Sequence, residues 1–193
     1  MRCARNDKMA AVLMVTGIYL ISAMSSDAAA IYTSIEEGKC SAAPGDVLAQ
    51  YQVRGLDAEE CHGYKGWRLF IVSTPERSWI DLRYGRQTWS TERVVVHENT
   101  YGHFPNIGGT AVEWGTTTRG VPSSIIFRID AQGIGKEGIM DTNTSRYYAI
   151  KLNQDRPTFC GLAMTNEEAR VLATGKCDKP LKKIMSDDKT SGN

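Results

Sequence analysis

Apolar residues that return at every second position are what most limits the folds open to this chain. Residues 66–84, "GWRLFIVSTPERSWIDLRY", hold two runs rich in β-branched and aromatic side chains around "STPER", with Pro75 where a turn favours it. The pattern is that of a β-hairpin, and Trp67 and Trp79 are expected to pack across it. Further short runs bounded by Gly, Pro, Asn and Asp predict strands at 30–35, 47–53, 93–98, 110–118, 123–131, 145–153 and 158–164. Between them, "AQGIGKEGIMDTNT" (131–144) reads as a long, polar, glycine-rich connection.

One segment breaks the pattern. In "TNEEARVLATGK", Thr165 is placed to cap a helix, Glu168 stands three residues on, and Gly175 marks the stop. The expected fold is therefore mainly β, a small antiparallel sheet, sandwich or open barrel with one short C-terminal helix.

The first thirty residues read as a secretory leader, with a basic head, an apolar stretch of about fifteen residues and the small-residue end "DAAA". The apolar stretch is short of the roughly twenty residues that span a bilayer. Cleavage is expected after Ala30, no membrane anchor is expected after cleavage, and the product is expected to be periplasmic or secreted. Residues 31–177 form the predicted single β-rich domain, and 178–193, "DKPLKKIMSDDKTSGN", is the expected disordered tail. From 23 basic and 22 acidic residues the leader takes Arg2, Arg5 and Lys8 with Asp7 and Asp27, so the remainder is formally neutral. Nucleic acid is not an expected partner, since phosphate binding needs clustered Lys and Arg.

Of five cysteines, Cys40, Cys61, Cys160 and Cys177 lie beyond the leader. Four cysteines in an oxidising space allow three pairings, and proximity in the chain favours Cys40 with Cys61 and Cys160 with Cys177. Loops of this length contribute roughly 3 kcal/mol each in the chain-entropy account.

Candidate chemistry is sparse. Cys61 beside His62 makes a nucleophile only if the thiol is free and a turn brings the two together. His97, Glu98 and His103, with His62, have the ligand types for zinc but not the helical spacing of a metalloprotease. Glu92, Glu98 and Glu113 lie near Trp89, Tyr101 and Trp114, the residue types of a sugar-cleaving site, but nothing sets the spacing of the carboxylates. "GIGKEG" lacks the Lys-Ser/Thr of a phosphate loop, and "GRQTWS" lacks a nucleophile elbow. No cofactor and no catalytic residue is assigned. A surface of Trp89, Tyr101, Phe104 and Trp114 is the candidate binding face, with 86–108 and 131–144 as its rims.

From Ile31 to Cys177 the chain resembles a group of small, uncharacterised secreted proteins of alphaproteobacteria. The resemblance lies in "IYTSIEEGKC", in "CHGYKGWRLFIV", in Phe104, Gly108, Glu113 and Trp114, in Pro122, Ile125, Ile126 and Arg128, and in Cys160 followed by "NEEARVLATGKC". It implies export and a common fold and brings no activity, cofactor or catalytic residue. Two functions are thus expected in order: a non-catalytic envelope or extracellular domain that binds a protein, peptide or glycan, and a metal-dependent hydrolase using His97, Glu98 and His103.

Overall fold

The computed structural model describes residues 30–133 and 142–184. Residues 1–29 of the expected leader, 134–141 of the predicted connection and the last nine residues lie outside them. The strands are β1 (Ile31–Ser34), β2 (Ser41–Ala42), β3 (Asp57–Cys61), β4 (Trp67–Ser73), β5 (Ser78–Tyr84), β6 (Gln87–Ser90), β7 (His103–Thr116), β8 (Pro122–Gly133), β9 (Thr142–Lys151), β10 (Thr158–Ala163), β11 (Lys179–Pro180) and β12 (Lys182–Ile184). Helix α1 (Gly45–Gln52) precedes β3 and helix α2 (Asn166–Thr174) follows β10. They build two antiparallel sheets of six strands, ordered β1-β7-β8-β9-β10-β11 and β12-β6-β5-β4-β3-β2.

Register decides which side chains share a face, because neighbours along a strand point to opposite sides. In the second sheet Leu69, Leu82 and Trp89 align across β4, β5 and β6, while Phe70, Asp81 and Ser90 align one step along. In the first sheet Trp114, Ile125, Ile150 and Phe159 align across β7 to β10. The sheets meet through these apolar rows. Tyr64 lies 6.2 Å from Trp114 between ring centres, and Gln154 Nε2 donates to the Tyr84 hydroxyl at 2.9 Å. Burying each large apolar side chain contributes about 1.5–3 kcal/mol, and this interface is the main source of stability.

Each helix covers an outer face. Over the second sheet, α1 buries Val47 and Tyr51, and the Tyr51 hydroxyl donates to Asp81 Oδ2 at 2.8 Å. Asp81 is wholly buried. Burial pushes its carboxyl up to about 7 against the pull of the Ser90 and Tyr51 hydroxyls. Over the first sheet, α2 seats Ala169 and Ala173 on Ile126 and Ala149. Thr165 Oγ1 accepts from the Glu168 backbone N–H while Glu168 receives the Thr165 N–H, the capping box that the sequence predicts. The disulfides join Cys40 to Cys61 and Cys160 to Cys177.

The predicted hairpin at 66–84 is β4 and β5. Other expectations are corrected. The strand expected at 47–53 is α1, because Val47 and Tyr51 are four apart and meet the sheet on one helical face. The strand expected at 93–98 is a single π turn, Arg93–His97, in which the adjacent Val94 and Val95 are both buried, as alternation does not allow. Trp67 packs on Tyr84 and Trp89, whereas Trp79 faces the other way opposite Val72. The tail expected to be disordered from residue 178 contributes β11 and β12, anchored by buried Leu181, whose N–H bonds the Pro157 carbonyl. Among the described residues no helix is long and apolar enough to cross a membrane.

Candidate functional site

The four-membered aromatic surface does not form. Trp114 is fully enclosed with its Nε1 donating to Thr33 Oγ1 at 2.9 Å, and Trp89 is buried against Trp67. Both lie on inner faces, where the sheets bury their largest side chains. Tyr101 is half-buried, its hydroxyl 3.3 Å from that of Tyr148 and its ring under the Arg146 guanidinium. Burial pushes its phenol up to about 12. Phe104 is half-buried and lines a cleft.

The candidate ligating residues stand in separate places. His62 is exposed in the turn after β3, His97 closes the π turn, and His103 opens β7 beside the Phe104 ring. His97 Nε2 lies 3.6 Å from Glu92, whose carboxylate Arg54 holds at 2.7 and 2.9 Å. Glu98 is bonded by Lys179 and Arg93, and the Lys179 hydrogen bond leads in holding its carboxyl below the usual range. Among the described residues no three His, Cys, Asp or Glu side chains gather to hold a metal ion. Cys61 is in a disulfide, so the Cys61–His62 dyad has no thiol.

Glu113 is the residue that the sequence places least well. Strand alternation leads one to expect either Glu113 or Trp114 in solvent, yet both are buried, because α2 roofs the face that Glu113 occupies. Arg170 Nε and Nη2 donate to its two oxygens at 2.7 and 2.9 Å, Asn166 Nδ2 donates at 2.8 Å and the Tyr32 hydroxyl at 3.0 Å. Burial pushes this carboxyl up, but the bonds from Arg170, Asn166 and Tyr32 together outweigh burial and hold it below the usual range. All three carboxylates of the candidate sugar-cleaving set are thus engaged by cations. A general acid for that chemistry needs a raised pKa, whereas Glu98 and Glu113 are held below the usual range.

The same outer face continues beyond α2. Ile126 opposes Ala149 under the helix, followed by Arg128 with Tyr147, Asp130 with Ser145, and Gln132 with Asn143. These pairs are two residues apart, so all project to one side. Six residues of β8 span about 20 Å. Two cavities lie along this stretch. One, of about 210 Å³, is lined by Tyr32, Gly108, Glu113, Arg128, Tyr147 and Asn166 among others. The second, of about 510 Å³, is lined by Glu76, Phe104, Asn106, Asp130, Gln132 and Asn143 with Pro75 and Ala131. They adjoin at Gly108, where a Cβ would lie 2.5 Å from the Asp130 carboxylate. Only glycine lets Asp130 lie across the strand there.

Strand β7 bulges at both cavities. Its pairing with β8 shifts between His103 and Asn106 and again between Gly108 and Glu113. At the first shift Phe104 takes a left-handed backbone, φ 50°, which is unfavourable for a bulky side chain. Asn106 pins it there: Nδ2 donates to the Phe104 carbonyl at 2.9 Å and to the Glu76 carbonyl at 3.0 Å, and Oδ1 accepts from Ser78. Arg128 pairs with Asp130 at 3.0 Å, and Ser145 Oγ donates to Asp130 at 2.7 Å. The result is a groove of two cavities, the larger holding Phe104 and the side-chain amides of Asn106, Gln132 and Asn143, the smaller Tyr32 and Tyr147, with the Arg128–Asp130 pair between them. Tyr147 and Gln132 carry no motif and are placed by strand register, whereas Tyr32 stands in "IYTSIEEGKC" and Asn166 is brought to Glu113 by the docking of α2.

No protein family, curated protein or solved structure matches this chain.

Proposed function

We propose that this protein is an exported, non-catalytic binding domain of the cell envelope or extracellular space, and that the groove over the outer face of the first sheet is its ligand site. The observation that carries this reading is the pinned bulge at Phe104. Unfavourable backbone in a bulky residue costs on the order of 1–3 kcal/mol and persists where surrounding contacts enforce it, commonly at ligand sites. Here that residue lines a cavity of about 510 Å³, a size ordinary for small-ligand and oligomer sites. Export is supported by the leader pattern and by two disulfides in a small domain.

The test is an amide-resolved NMR titration of the protein from Ile31 onward with fractionated envelope polysaccharides, peptides and proteins. Saturable shifts confined to β7, β8 and β9 around residues 103–108 and 128–132 are the expected result. Shifts centred on His97 and Glu98 upon addition of zinc, with hydrolytic activity, would instead favour the metal-dependent reading.

A further inference from the structure

We infer that the ligand of this groove is a neutral glycan chain laid across the sheet; the inference rests on the groove being the binding site. Three features of the groove select that chemistry.

The first is charge. Among the described residues, the cations at the groove are matched, Arg128 by Asp130 and Arg170 by Glu113. A phosphate-rich or acidic polymer finds no unmatched positive charge in such a row, whereas a neutral polymer has no charge to match.

The second is the kind of polar group. Gln132 and Asn143 are directly opposed across β8 and β9 and both are exposed. Each amide offers donors and an acceptor on neighbouring atoms, the arrangement that a pair of adjacent sugar hydroxyls can satisfy. Phe104 at one end and Tyr147 near the other add flat apolar faces on which the C–H side of a sugar ring can lie.

The third is the position on the fold. An extended peptide is usually recognised by adding a strand to an open sheet edge, where main-chain groups are unpaired. In this groove β8 and β9 are joined in an unbroken ladder and β7 leaves β8 only at its two bulges, so recognition falls mainly to side chains. A surface about 20 Å long presented mostly by side chains suits a chain of rings better than a β-strand.

The experiment titrates the disulfide-bonded protein from Ile31 onward with cellohexaose, maltohexaose and chitin hexasaccharide, with polygalacturonate oligomers and a Gly-Ser-Thr-rich decapeptide as the other arms. The expected result is saturable binding of at least one neutral hexasaccharide, with groove amide shifts. Phe104→Ala should weaken it at least tenfold, Phe104→Trp should retain it, and Gln132→Ala with Asn143→Ala should weaken it while the dispersed spectrum shows an intact fold. If no neutral hexasaccharide shifts the groove amides, the inference fails. In that case a groove response to the decapeptide or the acidic oligomers leaves the binding-domain reading standing, and no response in any arm removes that reading too. Neutral-sugar binding unaffected by Phe104→Ala and by the amide pair likewise overturns the inference.

Discussion

Arg170 reaches from α2 to hold both oxygens of Glu113, with Nε at 2.7 Å and Nη2 at 2.9 Å, and so fastens the helix to a strand 57 positions earlier in the chain. The Glu113 side chain is buried while that of Arg170 is 44% exposed. Removing the cation strands a buried charge, a loss of 3–5 kcal/mol in a fully buried pair and about 2 kcal/mol here after allowing for solvent at Arg170. Urea unfolding of Arg170→Ala should show that loss, and Arg170→Lys should recover only part of it because the two-pronged geometry is gone. An unchanged midpoint in Arg170→Ala would show that α2 is held by its apolar face alone.

The same carboxylate predicts an acid limb. Glu113 is held below the usual range in the folded chain, so near its folded value the unfolded chain binds more protons. Its contribution is fully present above the unfolded carboxyl's value and is lost as pH falls through the folded one. Glu113→Gln should flatten that part of the stability profile, measured by chemical denaturation between pH 2 and 5, a working window of about that width. Parallel profiles for the two proteins would count against it.

Asp81 predicts the opposite slope. Its carboxyl is raised from the ordinary value to about 7, so between those values the folded chain holds the extra proton. Stability from this group is complete below the unfolded value and falls as pH rises toward and through about 7. Asp81→Asn keeps an acceptor for the Tyr51 hydroxyl and removes the charge. It should gain on the wild type by a few kcal/mol, to order of magnitude, on the alkaline side while matching it in acid. Equal stability of the two proteins at every pH would sink this account.

The two disulfides predict separate losses. Cys160 and Cys177 bracket α2 with a separation of 17, and Cys40 and Cys61 tie the segment before α1 to β3 with a separation of 21. Replacing either pair by serine should cost about 3 kcal/mol of unfolding free energy. The loss at Cys61 should be the larger, because a serine hydroxyl there is buried whereas Cys160 and Cys177 are half-exposed. Denaturation of each double variant, and of the wild type with reductant, reads both numbers.

The cap of α2 predicts a smaller effect. Thr165→Ala removes the acceptor for the Glu168 N–H and should cost about 1 kcal/mol. Thr165→Ser should be nearly neutral. A Thr165→Ala protein as stable as the wild type would mean that Arg170 and the Cys160–Cys177 bond hold the helix without its cap.

Local chemistry was enough to read several elements correctly. The β4–β5 hairpin is legible because "STPER" is a turn and both flanks favour strands, and α2 because Thr165, Glu168 and Gly175 are start and stop signals acting over a few residues. By contrast, "VLAQYQV" satisfies both periods over so short a run, and contact of Val47 and Tyr51 with the sheet decides for α1. "RVVVH" favours a strand by composition, but two adjacent buried valines need a turn that points both inward. The aromatic surface misled for a related reason: exposure of Trp89 and Trp114 depends on which face of a strand meets the other sheet, and alternation names two faces without saying which is inside.

The sequence by itself determined the strand-rich character of the chain, the capped helix and the pairing of each cysteine with its neighbour in the chain, since propensity, capping and loop closure all act over short distances. Only the tertiary structure decided that Glu113 lies under α2, that Asp81 is buried beneath Tyr51, and that Phe104, Gln132 and Asn143 line one cavity and Tyr147 the other on the same sheet face. Those relations join residues tens of positions apart, and they follow from register and layer packing, which no local pattern encodes.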